Sequence, residues 1–481
     1  MELQLPQRRK PGKQSFDTNG EAVRAWIDDL PLANTVKSLE LIAEALEEIN
    51  QLDLPVQDRL EVLESFVTPV MCVTSALKKL YLGKPLPLED INLGRATRVL
   101  DLFSQMATGY RILVSDLDTM VKPGSFLATA IHRALRYLCE ILLNNFQIYI
   151  QYPDGLWLAI HTLYAQAEQR GIISRSVTDT TLPTPDHSSI ETIYKQILLL
   201  SLACPYRLRQ NEMYHVYSAL VKWVGSSHLY HINDAEARGL FAINLSSDEP
   251  PIYCAIKEGK LTEGQWRILD TTEMADRMRA VLSEQSGPGA DNTGTMQRLM
   301  LTWGVMPKRR FSRYRQDSHI KLIVGLDSIH RMVAEPVNEQ VGDDTGISEA
   351  IDDKQYLRDP TIEQETSFST EKPADGQDNF TDNLLKGAYA VTTRTEQNIE
   401  SWKMCDMSAG GYCLLWDSES ASSARVGELV ALSEEEDSSD NWQLGVIRWM
   451  KFTEEHGLEL GIQMLSPGAR AISALIHKSN V

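Results

Sequence analysis

The 481-residue chain has few of the marks of a secreted domain, a membrane protein or an enzyme. It has no cysteine pair at CxxC spacing. Its six cysteines (Cys72, Cys139, Cys204, Cys254, Cys405 and Cys413) are scattered, mostly through apolar segments, so buried free thiols in a reducing compartment are expected, not disulfides or zinc. The basic segment Met1–Lys13 has no apolar h-region, so a signal peptide is not expected. No stretch approaches the roughly 18 uninterrupted apolar residues of a membrane-spanning helix. The richest run, Ile197–Cys204, stops at Pro205. A cytoplasmic protein with no membrane span is expected. Net positive charge is lacking too: 47 basic residues face 66 acidic ones, a formal charge of −19. Such a chain repels nucleic acid unless a local basic patch overrides the global field, so no nucleic-acid partner is expected.

Catalytic signatures are also missing. There is no GxxxxGK[ST] phosphate loop, no GxSxG elbow and no HExxH, and the ten histidines do not cluster at metal spacing. No catalytic residue, metal or cofactor is expected, and the chain reads as something other than an enzyme.

What is present is enough apolar residue, 43%, to build two or three cores. Residues 1–18 read as a disordered tail carrying Arg8, Arg9, Lys10 and Lys13. From 19 to 225 the apolar spacing is helical: Leu39, Ile42, Ala43, Leu46 and Ile49 share one face before Leu52-Asp-Leu-Pro55 breaks the helix. Further helical stretches span Ala96–Leu113, Phe126–Ile150, Leu156–Gln169, Ser189–Ala203 and Gln210–Val224, predicting a bundle or an irregular solenoid. Residues 226–300 change character. His228–Ile232, Gly239–Leu245 and Pro251–Ile256 read as strands, and helices are predicted at Thr272–Leu282 and Thr295–Gly304, making a small β-containing module or an extension of the helical region.

Residues 301–481 hold the informative motifs. Lys308-Arg-Arg-Phe-Ser-Arg-Tyr-Arg315 places five cations in eight positions ahead of a predicted strand, His319–Leu326. Asp406-Met-Ser-Ala-Gly-Gly411 forms a polar turn running into the apolar strand that ends at Trp416. Strand-like runs follow at Gly427–Leu432, Trp442–Trp449 and Gly457–Gln463, then a closing helix, Gly468–His477.

Arg309-Arg-Phe-Ser-Arg313 matches the RxxxR signature of PilZ domains, and Asp406–Gly411 matches their [D/N]xSxxG signature. Val426-Gly-Glu-Leu-Val, Val446-Ile-Arg-Trp and Leu458–Met464 are similar to the strands that close that fold. Over about residues 307–470 the chain thus resembles the PilZ-domain cyclic di-GMP receptors, and its layout behind a long helical region is similar to the FimW-type pilus and surface-attachment receptors. The resemblance implies an α+β protein, a helical region followed by an antiparallel β-barrel with cyclic di-GMP as ligand. It implies that Arg309 and Arg313 grip guanine edges and phosphates. Arg310 would add a phosphate or stacking contact, Asp406 and Ser408 would serve the other guanine face, and Gly411 would admit the ligand to the backbone. The chemistry agrees, because a guanidinium fork fits both a guanine O6/N7 edge and a phosphate. Trp402, Trp416 and Trp449 are expected in the barrel core or at its rim. Cys405 and Cys413 are expected to pack in the barrel.

Asp406 follows Arg313 by 93 residues, more than a compact barrel needs between its two signatures. The excess lies at about 335–385, where Glu335–Asp382 carries 14 acidic and 3 basic residues and reads as a disordered acidic insertion. The helical region is expected to contact an unidentified protein partner, in motility, pili or surface attachment. Recruitment by that partner to the cell pole or the inner membrane surface is part of the same expectation. The alternative is a PilZ-like adaptor that no longer binds nucleotide.

Overall fold

The computed structural model describes residues 5–13, 15–120, 124–179, 186–234, 237–254, 264–284, 293–304, 311–333, 399–418, 420–434, 442–453 and 455–469. The expected acidic insertion, Arg309, Arg310 and nearly all of the expected closing helix lie outside these residues. Apart from the end of the last helix, residues 330–333, the helices, sheets and barrel below belong to one compact unit, residues 1–329 with 399–469.

Eight helices come first: α1 (Gly20–Asp28), α2 (Thr35–Gln51), α3 (Val56–Tyr81), α4 (Asp90–Asp118), α5 (Phe126–Gln147), α6 (Leu156–Gln169), α7 (Ile190–Leu202) and α8 (Gln210–Trp223). Local chemistry sets several starts. Asn34 accepts the Lys37 amide at 3.1 Å and Ser189 accepts that of Thr192 at 3.1 Å, each satisfying an otherwise unpaired N–H of the first turn. The helix α5 is the axis of the region. It packs against α4 on one side and α6, α7 and α8 on the other, so nearly its whole circumference is buried.

That burial includes cations, which must then be paired. Arg133 donates to both Glu64 carboxylate oxygens at 2.9 and 3.1 Å. Arg136 is held by Asp179 and the Tyr217 hydroxyl. Asp179 ends β1 (Val177–Asp179), which pairs with β2 (Asp186–Ser188), a small hairpin not anticipated from sequence. The imidazoles of His132 and His161 are fully buried, and desolvation pushes their pKa values down to about 3 and about 4.

Two sequence expectations change here. The basic N-terminal segment is not a free tail. Arg9 bonds the backbone at Gln51 and Asp53, Arg8 pairs with Asp116 at 2.7 Å, and Phe16 packs edge-on against Trp26 at 5.2 Å. Its apolar Phe16 outweighs the charges that suggested disorder. Second, α3 is long and apolar enough by length and composition to cross a membrane, although charged residues interrupt its apolar runs; in this fold half of its most apolar 18-residue stretch is buried, and the helix packs against α1, α2 and α4.

A four-stranded antiparallel sheet follows, in the order β3-β6-β4-β5, formed by β3 (His228–His231), β4 (Phe241–Asn244), β5 (Ile252–Tyr253) and β6 (Trp266–Asp270). The strand β6 escaped prediction because all five residues are buried, which removes the alternation that marks a half-exposed strand. The helices α9 (Thr272–Glu284) and α10 (Thr293–Gly304) come next, and Trp303 of α10 donates its indole N–H to Leu199 O of α7 at 3.1 Å.

The C-terminal strands are β7 (Tyr314–Val324), β8 (Glu400–Ser408), β9 (Gly411–Trp416), β10 (Leu429–Glu434), β11 (Gln443–Thr453) and β12 (Gly457–Ser466). They close into a six-stranded antiparallel barrel, ordered β10-β11-β12-β9-β8-β7, while α11 (Leu326–Val333) follows β7 after Gly325. Ile320, Leu322, Trp402, Met404, Leu414, Val430, Leu432, Ile447, Leu458 and Leu460 are buried at alternating positions and fill the interior. Closure leaves the barrel no open sheet edge. A helical N-terminal region followed by this barrel is the α+β architecture expected.

The barrel rests on the helices through its backbone. The Phe452 amide on β11 donates to Tyr149 O at 2.6 Å, and Phe452 O accepts the Gln151 amide at 3.3 Å. The Ser422 amide, in the β9–β10 connection, donates to Leu86 O at 2.7 Å, and Arg209 Nε donates to Val426 O at 3.2 Å.

Candidate functional site

The two signatures, distant in sequence, meet because β7 and β8 are neighbours. Arg315 on β7 stands opposite Asp406 on β8, and Tyr314 opposite Met407. That pairing brings the preceding Arg313 to the same carboxylate: Arg313 Nη1 donates to Asp406 Oδ2 at 3.0 Å. Both groups are solvent-accessible, at 42% and 24%, so the ion pair is worth at most about 1 kcal/mol and a ligand can displace it cheaply.

The second signature forms the β8–β9 hairpin, with Ser408 paired to Gly411 across the two-residue loop Ala409–Gly410. Ser408 Oγ accepts the Gly410 amide at 3.3 Å and donates to Gly411 O at 3.3 Å, folding the turn tightly. Gly411 has φ +153°, and a Cβ there would stand 1.8 Å from Ile462 O on β12. No other residue fits. Phe311 lies over Gly410, where a Cβ would meet its ring at 2.8 Å.

These residues line one open cleft of about 210 Å³ at the barrel end. Arg313, Asp406, Ser408 and Gly411, four of the expected site residues, are brought together there. Phe311, Gly410 and Tyr412 join them, with Arg448 and Trp449 from β11 and Gly461, Ile462 and Gln463 from β12. Arg309 and Arg310 immediately precede this wall but lie outside the described residues.

Arg448 and Gln463 were not foreseen as site residues, and Trp449 was expected only as core or rim. The reason is a β-bulge. Ile447 pairs with Ile462, but Trp449 pairs with Gly461, so Arg448 is an extra residue on β11. Strict alternation would turn Arg448 and Trp449 to opposite faces; a bulge re-aims side chains, and both line the cleft. The missing Cβ of Gly461 lets the Trp449 indole lie across β12, since an added carbon would fall 1.8 Å from its nitrogen. Trp402 and Trp416 instead pack together inside the barrel, with ring centroids 4.7 Å apart.

Among the described residues, no group of three His, Cys, Asp or Glu side chains could hold a metal ion. Burial pushes the Cys413 thiol up to about 12 and raises that of Cys405, so neither is a ready thiolate.

Comparisons with known proteins supply the family. Residues 21–234 match the model of the N-terminal domain of the cyclic-di-GMP receptor FimW, and residues 240–471 match that of its middle PilZ domain. The chain belongs to the FimW cyclic-di-GMP receptor family. This is a receptor family, not a catalytic one. The cyclic-di-GMP receptor FimW of Pseudomonas aeruginosa PAO1 is 27% identical to the chain, over 98% of this chain and 81% of that protein. No solved structure matches the chain. The FimW PilZ model begins at residue 240, so its span takes in β4, β5 and β6 as well as the barrel.

Proposed function

We propose that this FimW-family protein binds cyclic di-GMP in the barrel-end cleft and passes the bound state through its helical region to a protein partner. The observation that carries the reading is the convergence of both signatures on one cleft, with Arg313 3.0 Å from Asp406 across 93 residues of sequence. In this reading Arg313 leaves Asp406 to take a guanine edge or a phosphate. Asp406 then accepts from the N–H donors of a guanine, Ser408 and the hairpin backbone supply further polar contacts, and Gly411 lets the ligand approach the main chain. By the family resemblance Arg309 and Arg310, just upstream in sequence, add contacts to guanine edges and phosphates.

The route to the helices is β11. Arg448 and Trp449 face the cleft, whereas Lys451 stands 5.9 Å over the Tyr206 ring and Phe452 bonds Tyr149 and Gln151. A change at the cleft therefore lies about 10 Å along one strand from the helical region. The cellular setting we propose is the cytoplasm, with output to pili or surface attachment.

Isothermal calorimetry on the full chain tests the binding step. Wild type is expected to bind cyclic di-GMP, and Arg313→Ala to weaken binding by roughly 5- to 150-fold, the equivalent of one bidentate guanine contact. Wild type that releases no binding heat and retains no labelled nucleotide would favour the adaptor reading instead.

A further inference from the structure

We infer that Arg448 binds a phosphate of the ligand and that Gln463 is its positioning residue, an assignment that rests on the cleft taking cyclic di-GMP. Arg448 is exposed, on a strand whose neighbour Ile447 is fully buried, and it lines the cleft as the bulge residue inserted between the Ile447–Ile462 and Trp449–Gly461 pairs. Bulges beside binding sites commonly serve to re-aim one side chain.

The partner of Arg448 decides the chemistry. Its Nε donates to Gln463 Oε1 at 2.6 Å, and Gln463 lines the same cleft from β12. A neutral amide orients the guanidinium without cancelling its charge. Among the described residues no carboxylate pairs with Arg448, whereas the other described cleft arginine, Arg313, is already paired with Asp406. The bond through Nε leaves the two terminal nitrogens as a planar fork, and that fork matches two oxygens of one phosphate. Cyclic di-GMP brings two phosphodiester charges, and Arg448 adds a cation beyond those of the Arg309–Arg313 signature. Among the described residues, Arg448 lines the cleft from β11 without a carboxylate partner.

The test is calorimetric titration of the full chain with cyclic di-GMP, comparing wild type with Arg448→Gln, Gln463→Glu and Arg313→Ala. Arg448→Gln is expected to bind about tenfold or more weakly, the usual weight of a charge-assisted hydrogen bond. Gln463→Glu discriminates positioning from mere structure. A carboxylate there pairs more strongly with Arg448 and preserves the strand contact, yet it cancels the charge, so binding is expected to fall by a similar factor. Binding within about twofold of wild type in both variants would overturn the assignment. If Arg313→Ala fails while both variants bind normally, the receptor reading stands and this inference falls; a wild type that does not bind removes both. Unchanged thermal midpoints establish that each variant is folded.

Discussion

Two residues set sharp stability and conformational limits on the account. At Gly411, a methyl group has no space beside Ile462 O, and φ +153° disfavours any side chain. Gly411→Ala should therefore open the β8–β9 hairpin, lowering the thermal midpoint and abolishing nucleotide binding together; an unperturbed midpoint would show that the hairpin is not so constrained. At His161, desolvation depresses the imidazole to about 4, while Nδ1 contacts the Tyr194 hydroxyl at 2.8 Å and Nε2 the Glu249 carbonyl at 2.9 Å. The folded state thus holds the neutral form, and the unfolded chain binds the proton first. Stability is full above about pH 6.5 and falls as pH drops toward 4, by about 2 kcal/mol between pH 7 and 5 from this group alone. Denaturant titrations at both pH values should show a smaller loss in His161→Gln. The sequence revealed Arg313, Asp406, Ser408 and Gly411 because each belongs to a contiguous motif. It concealed Arg448 and Gln463, because their place in the cleft depends on an insertion into strand register that no local pattern marks.

At the scale of elements, the readable strands were those with one buried face. The apolar run ending at Trp416 and the predicted run Gly457–Gln463 became β9 and β12, with β12 extending to Ser466. The predicted strand to Leu326 stops at Val324, since Gly325 turns the chain at φ +91°. The strand β8 was hidden: Trp402 and Met404 alternate with polar residues, but its end coincides with the signature and reads as a turn. That strand begins with a buried acid. Glu400 accepts from Trp402 Nε1 at 2.9 Å, Ser422 Oγ at 2.7 Å, and the Ser423 amide and hydroxyl at 2.8 and 2.9 Å. It fastens the β9–β10 connection, whose Ser422 amide in turn bonds Leu86 of the helical region. Glu400→Ala strands these donors and should cost about 2–4 kcal/mol in chemical denaturation. Glu400→Gln, which keeps an acceptor oxygen, should cost less; equal losses would argue against the hydrogen-bond account.

On the scale of the whole molecule, the barrel and the helices share one continuous hydrophobic core, and three backbone–backbone hydrogen bonds cross between them, with a fourth from the Arg209 side chain to Val426 O. Composition announced both parts, but not their junction, because contacts made through main-chain atoms leave no side-chain signature. Coupling between cleft and helices follows from differential stabilisation: a ligand that orders β11 favours whichever helical arrangement its Phe452 contacts fit. Hydrogen–deuterium exchange of the full chain with and without cyclic di-GMP tests this most directly. Slowed exchange is expected at residues 406–412 and 446–452 and, beyond the cleft, at the 149–152 junction. Protection absent from the cleft strands, or confined to them with the junction unchanged, would contradict it.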